Sequence, residues 1–253
     1  MKILNCCLME AEYDSIPDDV WERGEEYLRF LPYIGYEKNS YDEIGLELTR
    51  RNIEANPELS ADVLFMTKEN IRKEFQNLKA HGFAEIFQYI PEGKADFINV
   101  FKSHIKEQGS VQAVIVGQES SSRREGTTGA KIAELMRCPC IGNVVDYRIE
   151  NDRKIWIKRN TEEAIITATV KPPVVLMIGE APNVRLKTPR RRDKLPFLQQ
   201  FPWQKHWKEI LPEERLILDY QQNKRKCQFI SVHEWEQRLS IQEGGKSACT
   251  LRR

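Results

Sequence analysis

The residues with the clearest chemical potential lie in one loop, Gly117-Gln118-Glu119-Ser120-Ser121-Ser122-Arg123-Arg124-Glu125-Gly126-Thr127-Thr128-Gly129. It follows the apolar run Val114-Ile115-Val116 and leads into a segment with helical periodicity, which makes it a strand-to-helix turn. Its last four residues, Gly126 to Gly129, stand at a helix N-terminus, where unpaired backbone N–H groups and the positive end of the helix dipole favour a phosphate. Arg123 and Arg124 can add charge-assisted hydrogen bonds. The loop carries neither GxGxxG nor GxxxxGK[ST], so by composition a solvated turn stands beside the anion site as a reading.

Other reactive side chains are scattered. His81, His104, His206 and His233 pair with no Ser, Cys or Asp at a catalytic spacing, and helix-face or surface placement is the reading for them. The six cysteines include Cys6-Cys7 and a single CxC at Cys138-Pro139-Cys140, which match no disulfide framework and no paired CxxC zinc pattern. They read as reduced packing residues. With no nucleophile, general base or metal cluster in sight, the chemistry expected is binding, with any reaction supplied by a cofactor.

The elements that position the loop can be read from periodicity. Lys2 to Leu8 is a short buried strand, and Glu10 to Lys38 a long charged connection. Ser40 precedes Glu43 by three residues as a capping box, and Ile44, Leu48 and Ile53 follow on one face, which predicts a helix over 41–54. Val63 to Met66 is a strand, with Thr67 placed to cap a helix carrying Ile71, Phe75 and Leu78 and closed by Gly82. Glu85 to Ile90 is the next strand, Ala95 to Gln108 an amphipathic helix ended by Gly109, and Gln112 to Val116 the strand before the loop. A helix over 129–136 follows.

Strands alternating with helices of ten to fifteen residues predict an α/β fold with a doubly wound, mostly parallel sheet. Beyond Pro139 the pattern changes to strands at 144–150, 154–158, 164–170 and 173–178, with a hairpin at Asn151-Asp152, so an antiparallel extension is expected. Ligands in such sheets bind beyond the carboxyl ends of the strands. That rule selects three segments: the end of the first strand at Cys6, the turn at Met66-Thr67, and the loop from Gly117.

After Gly179 the chain is Pro-rich and basic, then aromatic (Phe197, Phe201, Trp203, Trp207), with a helical pattern over 212–220. The aromatics can close a local core or form an arm that lies across a partner. Two parts are therefore expected, an α/β domain over 1–182 and a loop with a C-terminal arm over 183–253. The 253 residues carry 39 basic and 38 acidic side chains, a net charge of +1, which gives no general argument for nucleic acid. The run Arg190-Arg191-Arg192 is either a solvated stretch, a local contact for an acidic partner or a small RNA-binding patch. The start MKILNCCLMEAEYD has neither a signal peptide nor a membrane span, and a cytoplasmic protein is expected.

Taken in order, Asn39-Ser40-Tyr41-Asp42-Glu43-Ile44-Gly45-Leu46-Glu47, Val63-Leu64-Phe65-Met66-Thr67, Gly117 to Gly129, Val174-Val175 and Arg185 resemble the beta subunit of electron-transfer flavoproteins. The resemblance spans about residues 1 to 195. That family has an NPxxEIAxEEA segment opening a helix, a GKQAIDxDxxQxG-type loop after the fourth strand, and an LPAVVTV-type strand before a partner-recognition loop with NEPR. It implies a nucleotide-binding α/β domain paired with an alpha subunit that carries the redox FAD and shuttles electrons between a dehydrogenase and an acceptor. The beta subunit would hold AMP, or a second FAD as in the electron-bifurcating members, and would turn over no substrate alone.

Carried over, the resemblance implies an adenine nucleotide against Cys6, Asn39, Ser40, Tyr41, Asp42, Met66 and Thr67, with its phosphate in Gly117 to Thr128. The family's acidic loop residues fall here at Ser122, Arg123 and Arg124, its lysine after the first strand is Leu8, and the proline after its asparagine is Ser40. Two arginines in place of acids make the rim more positive and favour an additional phosphate, which leaves FAD as open as AMP. Pro189 stands where the family has an anchoring leucine. The reading from another class is a stand-alone adenine-nucleotide sensor of the related universal-stress type, carrying no electrons.

Overall fold

The computed structural model describes residues 1–11, 16, 20, 35–92, 96–119, 126–150, 152–161 and 163–208, and the described residues fall within one compact unit. Nine strands form one sheet, and two short ones, β2 (Met9–Ala11) and β3 (Tyr36–Lys38), pair antiparallel beside it. In chain order the large sheet takes β1 (Lys2–Cys7), β4 (Ser60–Met66), β5 (Ile86–Glu92), β6 (Ala113–Gly117), β7 (Cys140–Ile149), β8 (Ile155–Asn160), β9 (Ile165–Val170), β10 (Val174–Ile178) and β11 (Trp203–Lys208). Across the sheet the order is β11-β5-β4-β1-β6-β10-β7-β8-β9. The pairs from β11 through β7 are parallel, and β8 and β9 add antiparallel at one edge. The doubly wound sheet with its antiparallel extension is the fold expected from the alternation of strands and helices.

Helices cover both faces because the strands alternate. Ile3, Ala113, Ile115, Val174 and Leu176 point to one face, where α1 (Ser40–Ala55) brings Ile44 and Leu48 and α2 (Arg72–Ala80) brings Phe75 and Leu78. Leu4, Val114, Val116, Val175 and Met177 point to the other, against Phe97, Val100 and Phe101 of α3 (Phe97–Gln108) and Ile132 and Ala133 of α4 (Thr128–Met136). Both sides of β1, β6 and β10 are buried, so their sequences are apolar throughout rather than alternating with polar residues.

Two local expectations need correction. Ser40 is not the cap of the first helix: Asn39 is, its side-chain oxygen accepting the N–H of Tyr41 at 2.9 Å, while Ser40 is the first helical residue and exposed. Asparagine and serine are nearly equivalent caps, and the serine sat one position too late. Thr67 does not cap α2 either; its hydroxyl accepts the N–H of Glu69 at 3.1 Å in a local turn, and Ile71 precedes the helix with no side-chain cap. Gly82 and Gly109 end their helices with φ of 88° and 86°, where glycine avoids the strain of a side chain.

The segment from residue 183 reaches residue 208 as part of this unit. A one-turn α5 (Arg191–Lys194) and a 3-10 turn (Leu195–Phe197) lead to β11, which pairs parallel with β5. Arg72 fastens the approach, donating to the Leu198 carbonyl at 2.8 Å and lying 4.7 Å from the centre of the Phe201 ring. Trp207, 6.3 Å from Tyr89, packs against the core, while Trp203, 5.5 Å from Phe87 and 5.4 Å from Tyr89, lies over it and stays exposed. The helical pattern at 212–220 and His233 lie outside the described residues.

Candidate functional site at the strand switch point

The chain builds outward from β1 in one direction, to β4 and β5, and then returns to place β6 on the other side of β1. The connections leaving β1 and β6 therefore diverge to opposite faces, and a crevice opens between the carboxyl ends of these two strands. Cys6 lies at that end of β1, and Gly117 closes β6.

The N-terminus of α1 sits across this point. Asp42, in its first turn, accepts the N–H of Leu8 at 2.9 Å and that of Gly117 at 2.8 Å, one on each carboxylate oxygen. Asn39 donates its amide to Glu10 Oε2 at 3.0 Å and to the Glu119 carbonyl at 3.1 Å, and its own N–H goes to the Leu8 carbonyl at 3.2 Å. Two side chains thus tie together the end of β1, the start of α1 and the start of the loop after β6. Gly117 leaves no room for anything larger, since a Cβ there would lie 2.7 Å from Asp42 Oδ1 and 3.0 Å from Tyr41 Cβ.

Gln118 extends the arrangement toward β7 and β10. Its N–H donates to the Ile178 carbonyl at 2.9 Å, and its side-chain oxygen accepts the Asn143 N–H at 2.6 Å. Ser120, Ser121, Ser122, Arg123, Arg124 and Glu125 lie outside the described residues. At the far end Gly126 has φ of 57°, and Thr127 precedes α4 with no side-chain hydrogen bond to the helix. Among the described residues no side chain is seen to cap the first-turn N–H groups of α4, and a helix start of that kind can accept an anion. The missing side chain of Gly129 serves packing: a Cβ there would stand 2.4 Å from Met177 Cγ, toward the sheet.

Met66 and Thr67 end β4, the neighbour of β1, where Cys7 pairs with Phe65. Thr67 is buried, and the carbonyls of Thr67 and Glu69 take the Gln88 amide at 3.2 and 2.8 Å. Of the residues selected from sequence, Cys6, Asn39, Tyr41, Asp42, Gly117, Gln118 and Glu119 come together at the crevice. Met66 and Thr67 stand one strand away, and Ser40 faces outward.

The crevice is an acid-rich one. Burial, opposed by the two backbone N–H bonds and aided by nearby Glu10, pushes the Asp42 carboxyl up to about 7. Burial also raises the Cys6 and Cys7 thiols well above their ordinary value, with the Asp42 charge adding to the effect, so both remain protonated packing groups. Among the described residues no group of three His, Cys, Asp or Glu side chains is placed to hold a metal ion. No described helix is long and apolar enough to cross a membrane.

Glu10 and Asn143 were not visible as site residues. Glu10 had one available signal, an acid immediately after an apolar strand. Asn143 had none, because its role comes from a backbone at φ of 57° in a strand that pairing alone brings beside Gln118. No protein-family profile matches this chain, and no curated protein matches it significantly.

Proposed function

We propose that this chain is a beta subunit of the electron-transfer flavoprotein type, which holds an adenine nucleotide, AMP or FAD, in the crevice between β1 and β6. A flavin-carrying alpha subunit would be its partner, passing electrons from a dehydrogenase to an acceptor. The observation that carries the reading is the bridge from Asp42 to Leu8 and Gly117, which fixes the start of α1 at the switch point of the sheet. In this reading the two N–H groups at the strand ends are already taken, so the phosphate goes to the start of α4, at the backbone N–H groups of Thr128 and Gly129. The turn at Gly126 and the arginines of the preceding loop would complete its cradle. The bound flavin supplies the redox chemistry; the residues of this chain bind and orient the nucleotide and exclude water.

The test is a count of AMP and flavin extracted per heterodimer after co-purification with the alpha subunit, for the native chain and for Gly126→Val. A bound adenine nucleotide in the native complex and its loss in Gly126→Val, with an unchanged circular dichroism spectrum, support the reading. A colourless chain that is stable without an alpha subunit and holds ATP would point to the sensor instead. Undiminished nucleotide in Gly126→Val would move the phosphate elsewhere.

A further inference from the structure

The two edges of the large sheet are built differently. β11, at one edge, carries Lys205 and His206, which meet Glu107 and, at 3.1 Å, Glu92. Charged side chains of this kind are how sheets avoid pairing with a foreign strand. β9, at the other edge, reads Ile-Ile-Thr-Ala-Thr-Val, with no charge, no proline and no bulge, and no described strand lies beyond it. Ile165 is 63% exposed and Ile166 44%. By strand length, composition and exposure this is an edge prepared for pairing.

The direction of its backbone groups selects a register. The N–H of Thr161 donates to the Ala164 carbonyl at 2.8 Å, so along β9 the even-numbered residues turn their backbone groups toward β8. Ile165, Thr167 and Thr169 then turn theirs outward. In an antiparallel pair, residues directly opposite must both face the partner or both face away. A second copy of β9 can therefore pair with Thr167 on the two-fold axis, Ile165 opposite Thr169 of the other copy, and about six backbone hydrogen bonds exchanged. The same register puts Glu163 opposite Lys171 of the other copy at both ends, and both side chains are exposed. Shifting by one pair either way loses that match and sets Lys171 opposite Ile165, or Glu163 opposite Thr169.

We infer that β9 is the interface through which two copies of this chain associate, antiparallel about Thr167, into one continuous sheet. A self-complementary strand is what an isologous dimer requires, and threonine pairs and opposite charges are favourable across strands. The interface lies four strands from β6, about 19 Å at the usual strand spacing, so it is independent of the nucleotide reading.

The experiment is the mass of the full chain by sedimentation or light scattering over micromolar to millimolar concentration. A mass near twice 29.6 kDa is expected for the native chain. Thr167→Lys and Thr167→Glu each set like charges face to face on the axis, and each should weaken dimerisation at least tenfold. An equimolar mixture of the two should restore it, because Lys then faces Glu. Glu163→Lys and Lys171→Glu should weaken association singly and recover it together. A native chain that stays monomeric, a dimer indifferent to Thr167→Lys, or a mixture that fails to re-form the dimer would each overturn the inference.

Discussion

Asp42 accepts the backbone N–H of Gly117 at 2.8 Å from within a site that leaves its side chain almost no solvent. Its other oxygen holds Leu8 at 2.9 Å, so one carboxylate closes the gap between β1 and β6 at the carboxyl edge of the sheet. Two N–H donors stabilise its charge, yet burial outweighs them and the carboxyl is pushed up to about 7. Protonation therefore bears on this bridge, since the hydroxyl oxygen of a neutral Asp42 is a weaker acceptor than a carboxylate oxygen.

The first prediction concerns stability against pH. With a folded value near 7 and an ordinary value of 3.8, Asp42 binds its proton more tightly in the folded state throughout that window. Its contribution is fully present below the lower value and is lost as pH rises through the upper one, by an amount on the order of 4 kcal/mol at most. His104 acts in the opposite direction: burial, with Lys2 nearby, holds its imidazole down to about 4, so its contribution is lost as pH falls below its ordinary 6.5. The native profile is the sum, and Asp42→Asn isolates one part. Denaturant midpoints from pH 4 to 8 should show Asp42→Asn falling less than the native chain as pH rises; equal slopes would contradict the raised carboxyl.

The second prediction tests how α4 meets the sheet. Gly129 is the second helical residue, and an added Cβ would stand 2.4 Å from Met177 Cγ and 3.3 Å from Val116 Cγ1. Gly129→Ala gains helix propensity, up to ~1 kcal/mol, but overpacking costs about 1–3 kcal/mol and should dominate. Met177→Ala alone should cost about 2–5 kcal/mol through the space it leaves. Because the new methyl group enters that space, the double variant should be more stable than the sum of the two losses by about 0.5–3 kcal/mol. Chemical denaturation of the four proteins completes the cycle, and strict additivity would mean the two residues do not touch.

What could be read from the sequence follows from where the information is local. The strand at 113–117 and the helix at 128–136 were legible because an apolar run ends at Gly117 and a helical repeat starts after Gly126. The meeting of Cys6 and Gly117 at one crevice was also foreseeable, because strand ends in a doubly wound sheet converge on the switch point, whereas Asn39 and Asp42 at the start of α1 were pointed to only by the family resemblance. The insertion of β10 between β6 and β7 was not, because β10 is preceded in sequence by the antiparallel pair β8 and β9. Nothing local says that a strand after a hairpin returns to the middle of the sheet. Asn143 was invisible for the same reason: β10 must be placed before β7 can stand near Gln118. The tail tryptophans were legible as apolar anchors, but which surface they covered depended on β5 having a free edge.

The third prediction concerns the polar centre that ties α1 to the sheet on the face that also bears the crevice. Thr49 is fully buried, with Oγ1 2.7 Å from Asn5 Oδ1, 2.9 Å from the Gly45 carbonyl and 2.6 Å from the Tyr147 hydroxyl. Its single proton goes to an oxygen that can only accept, Asn5 Oδ1 or the Gly45 carbonyl, so the Tyr147 hydroxyl is the donor to Thr49. Burial raises the Tyr147 phenol well above its ordinary range, which keeps that donor protonated at any working pH. Replacing Thr49 with Val keeps the shape and orphans both Asn5 Oδ1 and the tyrosine hydroxyl, at a cost of about 1–3 kcal/mol for each unsatisfied group. Tyr147→Phe removes one donor and should cost less, and adding it to Thr49→Val should restore stability, because it deletes a hydroxyl that has lost its partner. Asn52 would still clip β7 to α1 through Ile149 N–H at 2.8 Å and the Tyr147 carbonyl at 3.0 Å, so the fold should persist in all three variants. Thermal and denaturant unfolding of the single and double variants measure this, and a double variant less stable than Thr49→Val alone would contradict the assigned direction of the hydrogen bond.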